Sequence, residues 1–237
     1  MREEKKSDLV RIGCFYDGAF FVRVSTYYKH YHPRRAYLNF SGLQDFFRQT
    51  IAVKTKKELP LCQIVQSHFF RGRFSLQAAK TADALEADRF FDQLLMYAGI
   101  LTHYYPMNET VSPPQEQGID VWLALEAYDL AVCNGFEVVV LFVSDQDFLP
   151  VIRKLHGQGT KVLLVSVDIS YVDQQGIDRH LVTSHQLLNE ACYRIDLSTE
   201  VANAEKAPNA LIESLFTIPP KSIYSKPNLP TSRRSNQ

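Results

Sequence analysis

The chain has 237 residues, 46% hydrophobic and 12% aromatic, enough for one substantial core or at most two small ones. Lys and Arg together equal Asp and Glu at 26 each, which excludes a global basic field while leaving room for a local basic rim. No stretch approaches the ~20 apolar residues of a membrane span, no export signal follows the charged first eight residues, and Cys14, Cys62, Cys133 and Cys192 lack any CxxC or metal spacing. Buried, reduced thiols are expected, and with them a soluble, cytoplasmic protein.

Strand-like and helix-like segments alternate along the chain, the pattern of a mostly parallel sheet covered by helices. Residues 9–16 read as a first strand ending in Asp17-Gly18. A helix-like stretch, 19–30, follows, then a helix over 41–57 with Ser41 as its N-cap and Leu43, Phe46, Phe47 and Ile51 on one side. Residues 61–70 make a second strand, 77–98 a helix ended by Gly99, and 100–105 a third strand. A loop rich in proline and polar residues, 106–117, leads to a helix from Gly118 or Ile119 to Cys133, closed by Asn134-Gly135.

The apolar run Val138 to Val143 comes next. It is rich in β-branched residues and reads as a strand buried on both faces. Residues 148–156 form a helix with Pro150 in its first turn, where proline is tolerated. Then come a strand over 161–167, a helix around 178–189 and a short strand over 192–197. From Ser198 the composition turns to Pro, Ser, Asn, Lys and Arg. The expected organisation is a folded domain over residues 1–198 and a largely disordered tail over 199–237, with a short helix at 211–216.

The functional clue is where the carboxylates fall. Asp17 ends the first strand, Asp145 and Asp147 end the central apolar strand, and Asp120 sits in the first turn of the helix after the 106–117 loop. If the first and central strands are neighbours, these groups meet in the crevice where a doubly wound sheet reverses direction. Several carboxylates in one place repel one another and make a poor acid/base pair. They suit Mg²⁺ or Mn²⁺, which take oxygen ligands, keep waters and bind phosphate oxygens. Each also has an ordinary explanation: a turn at Asp17-Gly18, dipole stabilisation at Asp120, an N-cap at Asp145 or Asp147. The joint pattern favours a metal site.

At these residues the sequence resembles the NYN family of PIN-like nuclease domains, over residues 10–168. The matching pieces are Phe15-Tyr16-Asp17-Gly18, the segment Gln117 to Ala127 containing Gly118, Ile119 and Asp120, and Val143-Ser144-Asp145-Gln146-Asp147-Phe148-Leu149-Pro150. The resemblance implies a three-layer α/β/α sandwich with a mostly parallel central sheet (PIN-like, Rossmann-like). It also implies a metal-dependent endoribonuclease site at Asp17, Asp120, Asp145 and Asp147, with Glu126 where the family often has a second helical aspartate. Three departures stand out. Ala19, Phe20 and Phe21 occupy the place of a supporting asparagine, Gln117 replaces a lysine, and Ser144 replaces a glycine.

For substrate contacts, Arg71 and Arg73 after the second strand and Ser144 are candidates for holding RNA phosphates, whereas Tyr104, Tyr105 and Trp122 read as core. The cluster Lys29 to Arg35 reads equally as an RNA-facing flap or an exposed loop. No histidine pair has ligand spacing. The leading expectation is a Mg²⁺- or Mn²⁺-dependent endoribonuclease acting on single-stranded RNA. The alternative is a non-catalytic RNA-binding or regulatory module with a weakened site. Haloacid-dehalogenase-like chemistry fits less well because it needs Asp-x-Asp after the first strand and Asp17 is followed by Gly-Ala, and toprim-like chemistry because it pairs a Glu after the first strand with a later Asp-x-Asp. A homodimer is compatible with the sequence.

Overall fold

The computed structural model describes residues 8–81 and 84–218. Strand β1 (Val10–Asp17) leads into helix α1 (Gly18–His30), a two-residue strand β2 (Tyr37–Leu38), α2 (Phe40–Thr55) and β3 (Cys62–Arg73). Next come α3 (Leu76–Thr81), α4 (Leu85–Tyr97), β4 (Leu101–Pro106), α5 (Ile119–Asn134) and β5 (Val138–Phe142). A 3-10 turn, Gln146–Phe148, opens α6 (Leu149–Gly157), followed by β6 (Lys161–Ser166), the hairpin β7 (Asp168–Val172) and β8 (Asp178–Val182), and α7 (His185–Glu190). The described chain finishes with β9 (Tyr193–Asp196), α8 (Leu197–Lys206), α9 (Ala210–Glu213) and β10 (Phe216–Thr217).

Six strands form one sheet in the order β4-β3-β1-β5-β6-β9, and every pairing in it is parallel. Side chains alternate across a strand, and here both faces find a core. Ile12, Cys14 and Tyr16 of β1, with Val138, Val140 and Phe142 of β5, pack on the side of α1, α2 and α8. Phe15, Val139 and Leu141 pack on the side of α5, α6 and α7. This is the expected three-layer α/β/α sandwich. The continuous apolar run of β5 follows from burial on both faces.

Several elements differ from the sequence reading. The N-cap of α2 is Asn39, whose side chain accepts from the Ser41 N–H at 3.3 Å. The stretch expected as one helix over 77–98 holds two, α3 and α4. The helix expected over 178–189 is half strand: β8 pairs with β7 around a turn where Asp173 accepts from the N–H groups of Gln175 and Ile177. Cys14 and Cys62 are buried but Cys133 and Cys192 are exposed, and all four thiols are free.

The expected boundary at residue 198 is also corrected. Helix α8 starts at Leu197 with Asp196 as its N-cap, and Val201, Ala204, Ile212 and Leu215 are buried in the core beside α1 and α2. Strand β10 pairs antiparallel with β2, and the Arg34 guanidinium meets both oxygens of Glu213 at 2.7 and 2.9 Å. Polar composition masked an apolar stripe that closes the core, while Pro208 only separates two short helices. Residues 219–237 of the expected tail lie outside the described residues.

At the centre of the α1-side core, the Tyr16 hydroxyl is fully buried and meets no hydrogen-bond partner among the described residues. An unpaired buried hydroxyl costs free energy that a phenylalanine does not incur. Tyr16→Phe is therefore expected to keep or raise stability, by up to about 1 kcal/mol, as read by urea unfolding. A loss above that amount would show that the hydroxyl is bonded in solution.

Candidate active site at the β1–β5 switch point

In the register of β1 and β5, Tyr16 lies opposite Phe142. The residues that follow these two, Asp17 on one strand and Val143-Ser144-Asp145 on the other, therefore leave the sheet side by side. From β1 the sheet grows to β3 in one direction and to β5 in the other, which makes this the switch point where open α/β sheets bind ligands. Gly18 starts α1 here because the chain passes tightly beneath β3. A Cβ at Gly18 would come within 2.5 Å of the Phe70 carbonyl oxygen, so the Asp-Gly step is a close approach and not a free turn. The third contribution comes from α5, preceded by Gly118 in the left-handed conformation at φ 77°, which places Asp120 in its first turn.

These segments enclose a cavity of about 250 Å³ lined by Asp17, Ala19, Arg23, Glu116, Asp120 and Asp145, together with Gly118, Ile119 and Ser144. Asp17 is its buried carboxylate, 8% exposed, with Oδ1 accepting from the Phe20 N–H at 3.1 Å, so it also caps α1. Burial pushes its pKa up to about 6; the Phe20 N–H opposes this, Asp120 and Glu116 add to it, and Arg23 offsets part. Asp120, at the exposed rim, is raised by loss of hydration first, then by Asp145, Glu116 and Asp147, against Arg23. Asp145 caps the 3-10 turn by accepting from the Asp147 N–H at 2.9 Å.

The charge pattern is that of carboxylates pressing on one another with a single arginine in the wall. Among the described residues no three His, Cys, Asp or Glu side chains are set to enclose one ion directly. The wall's anionic groups are all oxygen donors, a set that fits a hard cation that keeps several of its waters, as Mg²⁺ does. It does not fit an ion stripped of water.

The residues expected from sequence separate into groups. Asp17, Asp120, Asp145 and Ser144 share the cavity wall. Asp147 stands outside the wall, exposed, yet close enough to act on Asp120. Glu126 is not in the cavity, because six residues along a helix turn it roughly 120° away from Asp120; its charge acts on His103 instead. Arg71 and Arg73, two apart on β3, face the same side and reach Asp88 at 3.2 Å and Asp92 at 2.8 Å, four apart on α4. Both arginines are thus ion-paired to α4. The Lys29 to Arg35 cluster packs on α8 and α9 through His32–Glu205 and Arg34–Glu213. Trp122 is half-buried against Phe70 and His103, whereas Tyr105, expected in the core, is 48% exposed. Two wall residues escaped the sequence reading. Arg23 lies on α1 six residues from its cap, and Glu116 falls in a segment that reads as plain loop.

The sequence model of the NYN domain matches residues 11–193, a span that includes every strand contributing to the cavity. Among curated proteins none matches the chain. Among solved structures, a protein of unknown function from Vibrio parahaemolyticus is similar in fold, with a TM-score of 0.52 and 16% identity, covering 81% of this chain and 95% of that one.

Asp17 gives a direct test of the electrostatics. Its folded pKa of about 6 lies above the ordinary 3.8, so between those values the folded protein holds a proton that the unfolded chain has released. The stability this supplies is full below about pH 4 and is lost as pH rises through about 6. In chelator, Asp17→Asn is expected to be more stable than wild type at pH 7 by up to about 3 kcal/mol, with the gap closing towards pH 4. A gap independent of pH in urea unfolding would show that the carboxyl is not desolvated.

Proposed function

The chain belongs to the NYN domain family, a family of PIN-like nuclease fold, and from that premise we propose that it is a Mg²⁺- or Mn²⁺-dependent endoribonuclease acting on single-stranded RNA. The observation that carries this reading is the gathering of Asp17, Glu116, Asp120 and Asp145, with Arg23, around one cavity at the β1–β5 switch point. Carboxylates that raise one another's pKa are a standing electrostatic cost unless a cation collects the charge.

Asp120 and Asp145 at the rim, with Asp17 at the floor, would hold the ion largely through its water shell. Asp147 would add charge from outside the wall. A bound Mg²⁺ or Mn²⁺ supplies a Lewis acid and a water of lowered pKa at neutral pH. Asp17 and Glu116 accept hydrogen bonds from the attacking water and orient it. Arg23 and the Ser144 hydroxyl hold non-bridging phosphate oxygens, the guanidinium offsetting the charge that grows on the phosphodiester. Ser184 N–H donates to the Ser144 carbonyl at 2.9 Å, which holds the Ser144 backbone in place. No helix among the described residues is long and apolar enough to cross a membrane.

A second reading is RNA binding without turnover. Ala19 in the cavity wall, where the resembling pattern has an asparagine, favours it. One assay separates the two: cleavage of end-labelled single-stranded RNA in Mn²⁺ or Mg²⁺. Chelation is expected to abolish cleavage, and Asp120→Asn and Asp145→Asn are each expected to slow it by at least about 100-fold, the scale of losing one preorganised charge-stabilising group. Equal rates in wild type and both variants would point to a contaminant and overturn the nuclease reading. Tight binding of the RNA by a wild type that does not cleave it would establish the second reading.

A further inference from the structure

A second, larger cavity of about 620 Å³ opens beyond the ends of β3 and β4, with Arg73, Phe74, Tyr104, Tyr105, Met107 and Asn108 in its wall. Its chemistry is unlike that of the acidic cavity. The Arg73 guanidinium lies over the Tyr104 ring, 4.4 Å from its centroid, and is fixed there by Asp92 at 2.8 Å. The Tyr104 hydroxyl donates to the same carboxylate, so ring and guanidinium form one held, stacked plane. Because Asp92 neutralises Arg73, this plane offers π surface and not net charge. Glu109 at the margin is likewise engaged, accepting from the Ser75 N–H at 2.6 Å and its hydroxyl at 2.9 Å. Tyr105 presents an exposed ring, 6.3 Å from Trp122.

The linings of the two cavities come together at Gly72. The Gly72 N–H donates to Glu116 Oε1 at 2.6 Å, and Glu116 lines the acidic cavity. A Cβ at Gly72 would fall 2.3 Å from Met107 Sδ and 2.5 Å from Glu116 Cγ. Met107 lines the aromatic cavity, so the bare backbone of Gly72 is what allows the two walls to meet.

We propose that the aromatic cavity is a nucleobase subsite, which takes the base of a nucleotide next to the phosphodiester held at the acidic cavity. The inference rests on the nuclease reading for that neighbouring phosphodiester. The volume falls in the range of small-ligand sites. Aromatic rings and a stacked guanidinium are the surfaces on which unpaired bases bind without sequence preference. A base within a duplex cannot enter, so the subsite gives a physical reason for a single-stranded substrate that the acidic cavity alone does not supply.

The test uses the full chain carrying Asp145→Asn, in Mn²⁺, with fluorescence anisotropy of a labelled single-stranded oligoribonucleotide and of the same oligonucleotide made abasic. The intact oligonucleotide is expected to bind about tenfold more tightly than the abasic one, the scale of one base–aromatic stack. Adding Tyr105→Ala, a change at an exposed ring, is expected to remove that difference by weakening only the intact oligonucleotide. Equal binding of the two before Tyr105→Ala is added, or a difference that survives it, overturns the subsite. Wild-type cleavage is measured in parallel. Cleavage without base-dependent binding rejects the subsite alone, base-dependent binding without cleavage supports the subsite and rejects the nuclease reading, and absence of binding and cleavage rejects both.

Discussion

Repulsion among carboxylates that the sheet forces together is the constraint around which this molecule is organised. Strands β1 and β5 run side by side with both faces covered, so the apolar run of each gives way to carboxylates only at its C-terminal end. Both then place an aspartate at the same edge, and α5 brings Asp120 and the preceding Glu116 to face them. Asp17, 8% exposed and with a pKa near 6, bears most of the cost because it has the least water. The arrangement lasts because Asp17 and Asp145 also do structural work, capping α1 and the 3-10 turn. Their backbone N–H partners hold them where repulsion would otherwise drive them apart.

Division of labour at the carboxyl edge follows from strand alternation. On β3 the charged residues facing α4 are Arg71 and Arg73, and the i, i+4 spacing of Asp88 and Asp92 matches their i, i+2 spacing along the strand. These ion pairs fix the α4 side of the edge and leave Arg23 to supply positive charge at the acidic cavity. The result is two adjoining chambers of opposite character, one of oxygen anions and one of aromatic planes, divided at Gly72.

Chain-closing elements show the same economy. The segment after β9 looks polar by composition, yet Val201, Ala204, Ile212 and Leu215 complete the core, and β10 adds to β2. The hairpin of β7 and β8 was hard to read because Ile169 and Leu181 are its inward-facing buried residues. With so thin an apolar signal, β8 reads as the start of a helix that the structure begins only at His185.

By itself the sequence determined the layered parallel fold, the central apolar strand and the ends at which Asp17, Asp120 and Asp145 stand, because burial on two faces leaves a one-dimensional record: unbroken apolar runs that stop at charge. Tertiary structure alone decided which charges share a space. Asp147 and Glu126 carry the same carboxyl chemistry as Asp145 and Asp120 but stand outside the cavity wall. Arg23 and Glu116, unremarked in the linear chain, belong to it. Neighbourhood across strands depends on register, helix phase and the near contact of Gly18 with the Phe70 carbonyl, quantities that spacing along one chain does not encode.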